Sequence, residues 1–442
     1  MNSSYVIATL KKAWSQLVGV NIVAGGMFVL GIYLFFSIFY WTINSNHVVL
    51  LMVSLVIFFS INVFWLKYGK TFASKNILYF FIIFGISVRL LWITFNQVDQ
   101  TSDHAYYLWM SNKILEGEFL INPFKQSGIS ILYALVHRIT RFNLETIASA
   151  INFIFSFLQF PLLYHLVRKT LSEAYAVFGI LIYSIWFESF VYANVAFNAI
   201  ALSFSSLLSL YLVVEGLRKG NLFDFVFSGM VLGLSQYLRG TSFTILTFSA
   251  LAIFLIVKSK IDSFKFGIFL FLGFFIMTSP ILIYNFSEFG VLSVSPAFNS
   301  GVSAFIGTNQ YSRGFYIENY NEKIVAEMHE YLENQNIAIS SDEKMNLKEV
   351  LKIQNLLYHP IQNRKWAPLR NQVALNMAIQ NISKNPLIYL KNVLLIKLPV
   401  FLVEPSSFAW NFSKEFMSAR PWLENYSIIL MVIFNLFFAT GL

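Results

Sequence analysis

Asp103 opens a stretch, Thr101-Ser-Asp-His-Ala-Tyr-Tyr-Leu-Trp-Met110, that lies between two long apolar segments. The stretch is neither apolar enough to cross a bilayer nor polar enough to be a plain loop. A carboxylate in the first turn of a helix, with Thr101 or Ser102 as N-cap, is favoured in its ionised form by the helix dipole. Such a carboxylate can accept a proton from an attacking hydroxyl. The plainer reading is a helix-start aspartate and no more. Tyr106, Tyr107, Trp109, Met110, Ile114 and Leu115 then fall on roughly one helical side, which predicts a helix lying in the membrane interface rather than crossing it.

Other ionisable side chains near the expected ends of apolar segments are Arg89, Lys125, Glu188, Arg239 and Arg313. Charges are costly in hydrocarbon and usually face a cavity or a partner. Lys125 sits in Asn122-Pro-Phe-Lys-Gln-Ser-Gly128, between two expected interfacial helices, and Arg239 in the turn of a tight helical pair. Either can meet a phosphate, the lysine as a point charge and the arginine as a fork. The plainer role for both is anchoring at the interface by snorkelling. Glu188, in Ile185-Trp-Phe-Glu-Ser189, can ligate a metal, bind a sugar hydroxyl or serve as a rim carboxylate. Asn309, Tyr311 and Arg313 belong to Gly307-Thr-Asn-Gln-Tyr-Ser-Arg-Gly314, a polar, aromatic loop that can close over a sugar or be an ordinary turn. His104 follows Asp103, but neighbouring side chains on a helix point apart. His329 and His359 lack metal-like spacing, and neither a P-loop nor a GxGxxG motif occurs. The sequence has no cysteine, which excludes disulfide, thiol and cysteine-ligated metal chemistry. No metal site is expected; a divalent cation is left open as a cofactor.

The elements that must hold these residues are apolar. The chain is 57% hydrophobic and 12% charged, about half the charged fraction of a soluble domain. Runs of about 20 apolar residues recur, each long enough to span a bilayer. The pattern predicts an all-α polytopic membrane protein of about 10–11 transmembrane helices, and short alternating strands of a β-barrel are missing. Spans are expected at 17–41, 48–66, 77–96, 145–167, 172–190, 194–214, 223–238, 242–257, 264–285 and 423–440, with 387–403 read as an interfacial helix. The net charge of +9 comes mostly from residues flanking these spans, so topology explains it better than nucleic acid does. Lys11 and Lys12 lead into the first span with no small-residue cleavage site, which reads as no signal peptide. Lys67, Lys70, Lys75, Arg168, Lys169, Arg218, Lys219, Lys258, Lys260 and Lys265 then fall on one side, the cytoplasmic one by the positive-inside rule. Residues 1–285 form a transmembrane domain with its outer loop at 97–144. Residues 286–386 form an extracytoplasmic loop domain, and 387–442 an interfacial helix and a last span. Within the loop domain the pattern is loop-like through Gly314, helical at about 321–335 and 343–357, and broken by Pro360 and Pro368.

Several short motifs occur in order: Asp103-His-Ala-Tyr-Tyr with Ile114-Leu-Glu-Gly117, then Phe124-Lys-Gln-Ser-Gly-Ile-Ser-Ile-Leu-Tyr133, then Leu232-Gly-Leu-Ser-Gln-Tyr-Leu-Arg239. Tyr284-Asn285, Phe289-Gly290, Ile306-Gly-Thr-Asn309 and Lys384-Asn-Pro386 with Lys397 follow. From about 77 to 400 this set resembles the GT-C glycosyltransferases, in particular the bacterial branch like protein O-mannosyltransferases and lipid A aminoarabinose transferases. Asp103 matches the family's catalytic aspartate in the first outer loop. Lys125 matches the lysine of its Lys-Pro-Pro segment, and Arg239 its Gly-Leu…Arg turn. The chain departs from the family in His104 where many relatives have Glu, in the missing proline pair, in Asn198 where relatives often carry Glu or Asp, and in two extra spans ahead of the first expected one.

The resemblance implies an inverting transfer of sugar from a polyprenyl-phosphate donor to a hydroxyl acceptor. Asp103 would take the acceptor's proton, while Lys125 and Arg239 would neutralise the departing phosphate. Tyr106, Glu188, Asn309, Tyr311 and Arg313 would contact substrate. The implied partners are the lipid-linked donor, a glycan, lipid or protein acceptor, and membrane lipid, with no nucleic acid. The implied location is the bacterial plasma membrane, with the site on the extracytoplasmic side. The alternatives are a transporter or flippase of polyprenyl-linked glycans, which predicts inverted repeats and polar groups at mid-membrane, and a polymerase or ligase of such glycans.

Overall fold

The structure, a computed structural model, describes residues 74–96, 98–118, 122–308, 322–324, 326–328, 330 and 366–393. The spans expected at 17–41, 48–66 and 423–440, and the helix expected at 343–357, lie outside these residues. The protein is an all-α polytopic membrane protein, and no strand occurs among the described residues. They gather into two compact units, one within Met1–Glu118, Gly128–Thr278 and Val403–Leu442, the other within Phe119–Ser127 and Ser279–Leu402.

In the first unit α1 (Lys75–Phe95) is followed by α2 (Ser102–Glu116), α3 (Gly128–Thr140), α4 (Leu144–Thr170) and α5 (Glu173–Ile185). The short α6 (Phe187–Val191) runs into a 3-10 turn at Tyr192–Asn194. Then come α7 (Ala199–Lys219), α8 (Leu222–Gln236), α9 (Ser242–Ile256) and α10 (Lys260–Phe289), whose last turns belong to the second unit. Among the described residues α1, α4, α7 and α10 are long and apolar enough to cross a membrane. Residues 173–194 make a fifth span if their bent halves count as one.

Polar residues between the apolar runs set where the helices start and stop. Asn143 caps α4 by accepting from the Thr146 N–H at 2.7 Å, and Ser74, Ser172 and Asn221 cap α1, α5 and α8 in the same way. Each such cap contributes about 1 kcal/mol. At the other ends Gly117 and Gly220 take left-handed φ values of 83° and 67°, which a Cβ would oppose.

Two departures from the expected spans shape the site. The segment expected at 172–190 breaks at Trp186, where the backbone turns extended and the helix axis bends by 57°. A break frees carbonyls of the preceding turn, which need donors in a dry interior. Arg89 of α1 supplies them, its Nη2 donating to the Tyr183 carbonyl at 2.9 Å. The following span starts at Ala199 rather than at 194. The intervening backbone is held by side chains instead: Asn152 Nδ2 donates to the Val195 and Tyr192 carbonyls at 2.6 and 3.3 Å. Gln100 accepts from the Ala196 N–H at 2.9 Å and donates to the Asn194 carbonyl at 3.2 Å.

The close helix pairs use glycine where backbones meet. A Cβ on Gly229 or Gly233 of α8 would run into the Leu270 or Phe274 carbonyl of α10, and one on Gly273 into Val226. Small residues allow this approach in membrane helices.

In the second unit the stretch expected to be loop-like through Gly314 contains α11 (Ser300–Thr308). Pro368 does not break a helix. It occupies the first turn of α12 (Ala367–Lys384), where its missing N–H costs nothing. The two pack through Gly301, whose N–H donates to Asn371 Oδ1 at 2.7 Å. Phe124, Phe298, Val302, Phe305, Ile324 and Met328 close a buried cluster around them. The segment expected as an interfacial helix from 387 begins as α13 (Pro386–Asn392).

Candidate active site

α2 buries one face and leaves its first turn accessible. His104, Tyr106, Tyr107, Met110, Ser111 and Ile114 are buried, and Asp103 is half-buried. The helix starts at Thr101, which makes no side-chain cap. Two hydroxyls converge on the Tyr107 carbonyl, Ser111 at 2.7 Å and Ser130 of α3 at 2.9 Å. They tie α2 to α3. The start of α3 is fixed in turn by the Gly128 N–H, which donates to the Tyr237 carbonyl at 3.1 Å. A Cβ at Gly128 would lie 2.6 Å from that oxygen, so only glycine lets α3 start against the α8–α9 turn.

Tyr107 is the hub of this region. Its hydroxyl accepts from Asn198 Nδ2 at 3.1 Å, and the same amide donates to the Leu238 carbonyl at 2.6 Å. Leu238 immediately precedes Arg239, so Asn198 links α2 to the turn that carries the guanidinium. Burial pushes the Tyr107 phenol well above its ordinary value; the Asp103 charge adds to the rise, and Arg239 opposes it. The Asn198 Oδ1 atom and the Gln236 Oε1 atom are buried without a protein partner. Phe197 packs edge-on against His104 and Tyr107 at 5.5 and 6.1 Å and stacks on Tyr192 at 5.6 Å.

The other sequence candidates fall in different surroundings. Arg239 is exposed. Tyr106 is packed inside, its ring against Tyr107 and Trp109. The ring of His104 is buried and packs edge-on against Phe197. Glu188 accepts a long bond from Trp186 Nε1 at 3.4 Å and lines a cleft of its own. Lys125, half-buried in the second unit, closes a two-residue turn by pairing with Asn122. Asn309, Tyr311 and Arg313 lie outside the described residues.

Arg89 is a structural residue. It is fully buried and donates to Ser156 Oγ, Ser189 Oγ and the Gly85 and Tyr183 carbonyls, with its plane over the Phe160 and Tyr183 rings. The sequence reading missed the tying roles of Asn198 and Gln100. The only signal was position: polar amides beside apolar spans need partners. Among the described residues no three His, Asp or Glu side chains gather as a metal site would require.

Residues 128–284 match the family described as dolichyl-phosphate-mannose-protein mannosyltransferase. The match starts at the first residue of α3 and ends in α10, so it includes Glu188, Asn198 and Arg239 and leaves out Asp103 and Lys125. The GT-C resemblance is thereby shown, on less than half of the chain. Two solved structures of the oligosaccharyltransferase AglB from Archaeoglobus fulgidus are similar, at 15% and 14% identity and TM-scores of 0.42 and 0.42. One is in complex with an inhibitory peptide and a dolichol-phosphate, the other with Zn and sulfate. They align with 84% and 80% of this chain and 49% and 52% of their own. The chain thus spans about half their length. No curated protein matches its sequence.

Proposed function

We propose that this membrane glycosyltransferase moves a sugar from a polyprenyl-phosphate donor to a hydroxyl acceptor, with inversion, on the extracytoplasmic side of a bacterial plasma membrane. The supporting observation is the Asn198 amide, which joins the Tyr107 hydroxyl to the Leu238 carbonyl and so ties α2, with Asp103 in its first turn, to the turn that carries Arg239. Asp103 takes the acceptor's proton as the acceptor oxygen bonds to the anomeric carbon. The bond from that carbon to the phosphate oxygen breaks in line, which inverts the centre. Charge accumulates on the leaving polyprenyl phosphate, and Arg239 offsets it. Lys125 has the same role on the resemblance alone. Glu188 is the remaining described polar residue proposed to contact substrate; Tyr106 supports α2 from within.

The test follows label out of a panel of radiolabelled polyprenyl-phosphate sugars in membranes with equal amounts of wild type or Asp103→Asn. Transfer by wild type and a loss of about 10²–10⁴-fold in the variant, the range for a general base, supports the reading. Equal transfer by both removes Asp103 from the mechanism.

A further inference from the structure

A cleft of about 760 Å³ opens in the first unit, where the end of α1 and the segment that follows it meet the start of α4. That is within the size range of a ligand pocket, roughly 300–1,000 Å³. Each amide on its walls already donates to the protein. Asn96 Nδ2 donates to the Trp92 carbonyl at 3.4 Å, and Gln100 Nε2 to the Val98 and Asn194 carbonyls at 3.2 Å each. Asn194 Nδ2 donates to the Asn96 carbonyl, and its Oδ1 accepts from Ser149 Oγ at 2.9 Å.

What the walls leave over is mostly acceptor. Asp99 and Glu145 both line the cleft. Asp99 is half-buried, and Glu145 is exposed in the first turn of α4, so neither carboxylate is closed off from water. Among the described residues neither side chain makes an ion pair or a hydrogen bond. A neutral sugar needs donors as well as acceptors, because each hydroxyl is both, whereas an ammonium or a guanidinium only donates. Two carboxylates with no protein cation suit the second kind of group. Leu90, Ile93 and Phe153 form an apolar wall of the same cleft. The hydrocarbon stem of a lysine or arginine can cover such a wall while its head stays wet; an ammonium set directly on a sugar ring has no such stem.

We propose that this cleft holds a lysine or arginine side chain of a peptide acceptor, its charged head meeting Asp99 and Glu145. Asp99 stands four residues before Asp103, so their Cα atoms are at most about 14 Å apart, at ~3.3–3.6 Å per residue. An extended peptide covers that distance in about four residues. The hydroxyl that receives the sugar and the cation that fills the cleft therefore lie within about four positions of each other in the acceptor. The acceptor role rests on the sugar-transfer reading; the cleft's preference for a cation does not.

Fluorescence anisotropy of labelled peptides with the purified protein, in the absence of donor, tests the cleft. The peptides carry one serine and, three positions on, lysine, glutamine or glutamate. Wild type is expected to bind the lysine peptide about fivefold tighter than the glutamine peptide, the upper range for one exposed ion pair, and the glutamate peptide most weakly. Asp99→Asn combined with Glu145→Gln, which keeps both shapes, is expected to bring the ratio near one with an unchanged thermal unfolding midpoint. Should the double variant not fold, the single variants decide. Equal binding of the three peptides by wild type, or an unchanged preference in the variants, overturns the cleft as a cation site. Displacement of the lysine peptide by an equal concentration of a glucosamine trimer makes an amino sugar the occupant and overturns the peptide. Transfer tests the acceptor role. With the donor that wild type uses, KM is expected to be about fivefold lower for lysine three positions from the serine than for lysine ten positions away, at the same kcat. The same KM at both spacings, or transfer to neither peptide, overturns that role and leaves the binding result standing.

Discussion

Tyr107 keeps its proton because it is buried, and the direction of that effect fixes a pH dependence. Its folded pKa lies above the ordinary tyrosine value. The stability this contributes is therefore full below about pH 10, the unfolded value, and is lost as pH rises through the folded one. Tyr107→Phe has no proton to lose. Its unfolding midpoint is expected to decline less steeply than that of wild type above pH ~10, measured by thermal scans in one detergent across that range. Below it the variant is expected to be the less stable protein by about 1–3 kcal/mol, since one Asn198 N–H is left buried without its acceptor. Arg239 poses a different question, because an exposed side chain contributes little to stability. Arg239→Ala is expected to slow transfer by about 10²–10³-fold, the range for losing one charge-stabilising donor, with an unchanged midpoint. Arg239→Lys is expected to fall between. A parallel loss of folding and turnover in Arg239→Ala would move the residue from chemistry to structure.

At the scale of helices, one guanidinium links α1, α4, α5 and α6. A charge inside a span reads as functional from sequence, and Arg89 qualifies on that rule. Its actual task comes from the break at Trp186, which hydropathy does not reveal because both halves are apolar. Arg89→Lys keeps the charge but cannot reach two hydroxyls and two carbonyls at once. It is expected to cost about 2–5 kcal/mol, as for a disrupted buried network, read as loss of folded protein on size exclusion. Per-molecule turnover of whatever folds should stay near that of wild type. The glycines of α8 were legible only as a short motif around Leu232. That Gly229 and Gly233 admit the backbone of α10 depends on a tertiary contact that spacing alone does not specify.

On the scale of the whole chain, the spans were legible because about 20 apolar residues have few other uses. Their limits were set by Asn143, Ser172 and Asn221, which a reader can find, and by Ala199, which none would. α11 was missed because its nine residues, Ser300–Thr308, are too short to show a helical period. α12 is hard to read from sequence because Pro368, which ends a helix from its interior, here stands in the first turn of one. Of the site, Asp103 and Arg239 were visible as charges beside apolar runs. Asn198, the tie between them, looked like a substitution. Sidedness has a direct measurement, since a chain with no cysteine is already a scanning background. In intact cells Glu118→Cys is expected to react with a membrane-impermeant maleimide, and Lys258→Cys only after permeabilisation. The reverse pattern would place the Asp103 side in the cytoplasm.

The stretch between Trp186 and Ala199 has a consequence for how the protein opens. From Tyr192 to Asn198 its backbone is secured by Asn152 and Gln100 rather than by an α-helical ladder. Amides held this way share their fate, so hydrogen–deuterium exchange from 192 to 198 should proceed as a single cooperative event. Replacing either of these two side chains should release all of those amides together. The surroundings of Asp103 would then have their own melting transition, at a lower temperature than the spans that frame it.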